Sequence, residues 1–137
     1  MKGKKLVIGS SFLAIYLLYG TSLLFAFDDK QLRQLKKTSV CQKCDLSNAK
    51  LSGLDLTSAN LPSTNLSGAD LSGSALNWAD LSKANLSGTN LSGASLFDAD
   101  LSGADVSNAN LTNANLTNAK WTNGKRCKAG SIGQCKQ

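Results

Sequence analysis

The sequence predicts an all-β chain: a four-sided parallel solenoid of about four coils, with a short capping helix at its N-terminal end. Three observations predict it. From Cys44 to Asn123 the chain divides into sixteen consecutive five-residue units with no insertion. The middle residue is Leu in fourteen of the sixteen units, the others being Val106 and Trp121. Neither regular element can carry a period of five for long. On a helix five residues advance about 500°, which scatters the leucines around the cylinder. On one straight strand an odd period throws successive leucines to opposite faces.

A short extended piece followed by a corner resolves the conflict. Typical units read Ala69-Asp70-Leu71-Ser72-Gly73 and Ala84-Asn85-Leu86-Ser87-Gly88. Two places before the middle stands Ala in eleven of sixteen units, and one place before it Asp or Asn in twelve. Three extended residues then point Ala inward, Asp or Asn outward and Leu inward. The last two residues turn the chain by about a right angle, and the Gly and Asn found there tolerate the dihedrals of turns. Four sides close a coil of twenty residues, so residues 44–123 make four coils. The predicted interior ladder is Leu46, Leu51, Leu56, Leu61, Leu66, Leu71, Leu76, Leu81, Leu86, Leu91, Leu96, Leu101, Val106, Leu111, Leu116 and Trp121.

The N-terminal residues carry a different signal. Lysines at 2, 4 and 5 precede residues 6–27, which hold no charge. A basic start followed by an apolar run is the pattern of a secretory signal, with a cleavage point after Ala26. The run is also long enough for a bilayer, which needs about 20 residues. Residues 1–26 are thus expected to be a signal peptide or an N-terminal membrane anchor. Both place the rest of the chain outside the cytoplasm, in a bacterial periplasm or secreted, or anchored to the inner membrane. Membrane contact is expected only through residues 6–27, if they are retained.

Residues 27–43 read as a capping helix and linker. Leu32 and Leu35 lie three apart on a predicted helix over 28–37, with Asp28 and Asp29 near its start and Lys36 and Lys37 near its finish, as the helix dipole favours. Its apolar side can cover the first coil. Residues 124–137 can cover the last as a disulfide-closed cap.

The cysteines are Cys41 and Cys44 at one end, Cys127 and Cys135 at the other. Four coils separate these pairs by roughly 15–20 Å at the spacing of β-strands. A disulfide needs Cα atoms within about 7 Å. The expected bonds are Cys41–Cys44 and Cys127–Cys135, unless the tail folds back along the shaft. The same separation argues against one zinc site made from all four.

The units resemble the pentapeptide-repeat family, with its A-(D/N)-L-x-x signature, over the whole of residues 44–123. The resemblance implies a right-handed quadrilateral parallel β-helix. The ends are similar to those of exported members: Cys41-Gln42-Lys43-Cys44-Asp45-Leu46-Ser47 resembles their C-x-x-C-D-L-S beginning. Trp121-Thr122-Asn123-Gly124, Cys127 and Gly130-Ser131-Ile132-Gly133-Gln134-Cys135 resemble their usual ending.

Composition narrows function. There is no His, and all nine acidic residues are Asp, which removes most general acid–base chemistry and the commonest metal ligand. A shaft filled with side chains leaves no pocket. No catalytic residue, metal or cofactor is expected, and the expected role is a non-catalytic exported binding or scaffold module whose partner is an unknown protein or cell-surface polymer. One alternative is a thiol–disulfide redox protein using Cys41 and Cys44, although such pairs normally sit at a helix N-terminus beside a βαβ unit. Another comes from the resemblance, since some family members mimic DNA and bind topoisomerase. That role needs a strongly acidic shaft, whereas residues 44–123 hold seven Asp and three Lys. No nucleic-acid partner is expected.

The regular outward columns are Ser, Asn, Asp and Gly, so departures stand out. Trp78 and Phe97 take outward corner positions, and a twenty-residue coil makes Phe97 the diagonal neighbour of Trp78 beside Asp98. Exposed aromatics next to polar groups mark contact surfaces. Trp78, Phe97, Asp98 and Lys83 form the candidate binding surface.

Overall fold

The computed structural model describes residues 29–137. The expected signal or anchor of residues 1–26 lies outside the described residues. Among the described residues no helix is long and apolar enough to cross a membrane.

The first element, α1, spans Asp29–Thr38, one residue later than predicted. Its apolar side is held by Leu32 and Leu35, both buried. The helix stops where Ser39 takes a left-handed φ of 54° and its amide donates to the Leu35 carbonyl at 2.8 Å, an end that satisfies one of the last orphan carbonyls. The Gln31 side-chain oxygen accepts the amide of Asp45 at 2.5 Å, which ties the helix to the first coil.

From there the chain winds in coils of twenty residues. Parallel bridges join Asp45 to Asn65, Asn65 to Asn85 and Asn85 to Asp105, and the other three sides repeat the pattern. The ladder is regular: Leu46 N–H donates to Asn65 C=O, and Asn65 N–H donates to Cys44 C=O, both at 2.8 Å. Each side is one isolated bridge rather than a three-residue strand, because a turn consumes the rest of the unit. The amide of Ala49 donates back to the carbonyl of Leu46 at 3.1 Å, closing a four-residue turn whose third residue is left-handed. Asn48 has φ 58° and Gly73 φ 63°; Gly and Asn reach that region at the least steric cost.

The pairing begins earlier than residue 44. Val40 bridges Asn60, and Cys41, five residues before Leu46, is completely buried. Residues 39–43 are therefore an additional repeat unit and not a linker. Cys41 occupies the Leu slot, which its spacing shows once it is counted backwards from Leu46.

The ladder side chains from Leu46 to Leu101 are all buried, as is Leu116. Val106, Leu111 and Trp121 are only partly covered, which corrects the expectation of a dry interior along the full length. The physical reason is the tail. It returns antiparallel along two sides of the last coil, with Asn115 bridging Ile132 and Lys120 bridging Arg126. The other two sides of that coil, those of Val106 and Leu111, receive no such segment, whereas Trp121 lies on a side the tail follows and is still only partly covered.

Hydroxyls replace Ala at a few inward slots without leaving an unpaired group. Thr89 Oγ1 donates to the Leu66 carbonyl at 2.7 Å and Ser74 Oγ to the Leu71 carbonyl at 2.8 Å. A buried hydroxyl with a partner avoids the desolvation cost of one without.

Candidate functional site

The outward Asp and Asn column has a local task. The Oδ1 of Asp70 accepts the amide of Ser72 at 3.1 Å, Asp55 that of Thr57 at 3.0 Å and Asn85 that of Ser87 at 3.0 Å. Each is an Asx turn that sets the corner. The sequence pattern marks the column as outward but does not reveal this bond. It has an electrostatic consequence. The Ser72 hydroxyl and amide hold the Asp70 carboxyl below its ordinary value, burial opposing and Asn90 and Lys50 assisting. Thr57 does the same for Asp55, and Ser107 for Asp105.

Four units lack Asp or Asn at this place, those of Lys50, Ala75, Ser95 and Lys120, and the two without any charge there lie one above the other. Residues 74–78 and 94–98 are a coil apart, bridged at Ala75 and Ser95, where most units carry Asp or Asn. Without a carboxylate, Ser95 Oγ donates instead to Asn77 Oδ1 at 2.5 Å. Both units carry an aromatic residue at the corner. Trp78 donates its amide to the Phe97 carbonyl at 2.9 Å. The rings meet edge to face with centroids 5.9 Å apart and planes at 83°. Phe97 is half-buried, whereas Trp78 is 57% exposed.

Trp78 also has a left-handed backbone, with φ 58°. For a bulky residue that conformation is an outlier and costs roughly 1–2 kcal/mol. Equivalent corners elsewhere mostly hold Gly, Asn or Ser. The aromatic ring is therefore placed on the surface at a backbone cost, with little burial to offset it.

Asp98 and Lys83 fall differently from expectation. Asp98 is already engaged: Arg126 Nη1 donates to it at 3.0 Å and to the Asn118 carbonyl at 2.8 Å. Sequence reasoning missed Arg126, because the tail has no repeat register to place it. Lys83 stands at the next corner, its Cγ 3.5 Å from where a Cβ would lie on Gly103. It belongs to a neighbouring column and not to the aromatic pair.

Both disulfides are present, Cys41–Cys44 with Cα atoms 5.4 Å apart and Cys127–Cys135 at 5.0 Å. Cys41 is fully buried and Cys44 nearly so. A partner thiolate needs access to one sulfur, so the geometry gives the redox reading no support. A polar groove of about 310 Å³ opens between α1 and the first coil, lined by Lys30, Gln31, Gln34, Gln42, Lys43 and Cys44. It brings together no nucleophile and base. Among the described residues no three Cys or Asp side chains are grouped to hold a metal ion.

A family model described as pentapeptide repeats matches residues 39–77 and 74–113. Similar solved structures include a pentapeptide repeat protein from Nostoc Pcc 7120, alr5209, at 31% identity over 62% of this chain and 75% of that one, with a TM-score of 0.40. HetL, a pentapeptide repeat protein involved in heterocyst differentiation regulation from Nostoc sp. strain PCC 7120, is 33% identical over 64% of this chain and 42% of its own, with a TM-score of 0.36. Rfr23 from the cyanobacterium Cyanothece 51142 is 28% identical over 66% of this chain and 82% of its own, with a TM-score of 0.37. Among curated proteins there is no match. The family match runs from residue 39 to residue 113 of 137, begins at the unit centred on Cys41, and shares the register of the bridges: the chain belongs to the pentapeptide-repeat family, whose members form right-handed quadrilateral β-helices and are generally non-catalytic.

Proposed function

We propose that this chain is an exported, non-catalytic binding module that engages its partner, a protein or a cell-surface polymer, through the corner carrying Trp78 and Phe97. The observation that supports the reading is the exposed, left-handed Trp78, edge to face with Phe97 on two stacked units that have Ala75 and Ser95 in place of Asp or Asn. A ring that is neither buried nor comfortable in its backbone contributes little to folding. It supplies apolar contact area with hydrogen-bonding neighbours, which is what contact surfaces use. In this reading residues 1–26 carry the chain out of the cytoplasm as signal or anchor, α1 and the tail close the ends, and the two disulfides suit an oxidising compartment.

Capture from a periplasmic extract tests the site. The full chain recovers a partner that the Trp78→Ala, Phe97→Ala double variant does not. Equal recovery by both removes the aromatic corner from the proposal. Export is tested separately, by fractionation with N-terminal sequencing; a chain found in the cytoplasm sinks that part.

A further inference from the structure

The α1 end of the shaft concentrates positive charge. Residues 30–44 hold five basic side chains, Lys30, Arg33, Lys36, Lys37 and Lys43, and no acidic one. The nearest carboxylates in the chain, Asp28, Asp29 and Asp45, flank the set. All five basic residues are exposed. The shaft behind them has the opposite sign, with seven Asp and three Lys over residues 44–123.

The helix aims three of these charges away from the protein. Leu32 and Leu35 hold its buried side against the first coil. Lys30, Arg33 and Lys37 follow one another at steps of three and four, which lines them up on the opposite side. Lys30 and Lys43 line the same polar groove of about 310 Å³. Lys43 is held there with a left-handed φ of 56°, uncommon outside Gly, Asn and Asp. The amides of this groove are engaged: Gln34 Nε2 donates to the Val40 carbonyl at 3.2 Å and Gln42 Nε2 to Asn60 Oδ1 at 3.1 Å. Among the described residues Lys36, Lys37 and Lys43 form no ion pair. Charge, and not its amides, is what this end offers a partner.

We infer that this end is a docking surface for a bilayer that carries anionic lipid, with the outward side of α1 against the headgroups. Two observations favour a lipid surface over a soluble polyanion. The cations are spread along a helix side and an adjoining corner, which suits a plane of many phosphates. Residues 6–27 hold no charge and end two residues before α1 begins at Asp29. A bilayer that holds them lies within about 7 Å of the helix start. The second observation rests on the anchor reading of those residues; the first does not. The apolar side of α1 is taken up by the first coil, so attachment is electrostatic and not by insertion. The shaft then stands end-on, with the tail at its far end.

Lysine acetylation of the full chain, read by peptide mass spectrometry, tests this on vesicles of phosphatidylglycerol and phosphatidylcholine and on phosphatidylcholine alone. The readout separates the two ends of the shaft whether or not residues 6–27 enter the bilayer. Lys36, Lys37 and Lys43 are expected to react about fivefold more slowly on the anionic vesicles, the scale of one basic residue at a charged surface. Lys125, Lys128 and Lys136 are expected to react equally on both. High salt should remove the difference. Lys37→Gln with Lys43→Gln should abolish the protection of Lys36. Lys125→Gln with Lys136→Gln, an equal change of charge at the far end, should leave it intact. Equal rates on the two lipids overturn the proposal and leave the basic end for a soluble polyanion. Equal slowing at both ends also overturns it, because net charge alone then drives adsorption. Protection that survives Lys37→Gln with Lys43→Gln overturns it too, since nearness of residues 6–27 to the bilayer then suffices. Cleavage after Ala26, read by N-terminal sequencing of the same preparation, overturns the anchor reading alone.

Discussion

Trp78 and Phe97 are nineteen positions apart in the chain and meet edge to face, with ring centroids 5.9 Å apart. The twenty-residue coil makes the contact: it places Asp98 above Trp78, and Phe97 one step back along the same corner. The pair is thus a product of the register and of two units that depart from it together.

That placement predicts an unusual mutational result. Trp78→Gly removes a left-handed conformation costing roughly 1–2 kcal/mol and loses an aromatic contact worth about 0.5–1.5 kcal/mol. The net change in stability is expected to lie within about 1 kcal/mol of zero, read by urea denaturation, while partner capture is lost. A loss of several kcal/mol would make Trp78 a packing residue and remove the reason for proposing a contact surface.

Core substitutions should grade along the shaft. Leu76 is fully enclosed and Leu111 only partly. Leu76→Ala is expected to cost about 2–5 kcal/mol, the range for an enclosed leucine. Leu111→Ala should cost less, roughly half, measured at low protein concentration where the end of the shaft is bare. Equal costs would show that the last coil is closed by something the tail alone does not supply.

The period of Leu from Leu46 to Leu101 makes the shaft legible, because an interior slot that admits one side-chain size leaves a repeating mark. The corner residues are legible for the same reason. Cys41 escapes the pattern because it fills a Leu slot with a different residue, and its cysteine chemistry draws attention away from its spacing. The half-bare end is not legible at all. The path of the tail depends on antiparallel pairing of Arg126 and Ile132 and on closure by Cys127–Cys135, none of which has a period. The ion pair of Arg126 with Asp98 is hidden for the same cause.

The two disulfides should respond differently to reductant. Cys41 is fully buried and Cys44 nearly so, whereas Cys135 is only partly buried. Mild dithiol treatment of the folded chain is expected to open Cys127–Cys135 first, read by alkylation and mass spectrometry. Its loss should cost about 2–3 kcal/mol, the loop-closure value for a separation of eight residues, and release the tail from the last coil. Preferential reduction of Cys41–Cys44 would contradict the burial order and return the redox reading to consideration.

Acid should unfold the shaft through its corners. In Asp45, Asp55, Asp70 and Asp105 the hydroxyl and amide of the residue two places on hold the carboxyl below its ordinary value of 3.8. A group whose pKa is lower in the folded chain is protonated first in the unfolded one, so the unfolded state binds more protons as pH falls. The stabilisation is therefore complete at neutral pH, begins to fade near the ordinary carboxylate value, and is lost as pH drops through the folded values. The melting temperature is expected to be flat from about pH 7 to pH 5 and to fall below about pH 4. Replacing all four aspartates by asparagine keeps an acceptor for each corner amide and removes their titration; Asp100, which against the cost of its burial is held below the ordinary value by Ser102 and Lys120, still titrates. That variant should lose most of the acid-side slope while keeping its fold, and a slope unchanged from wild type would place the acid sensitivity outside the four corners.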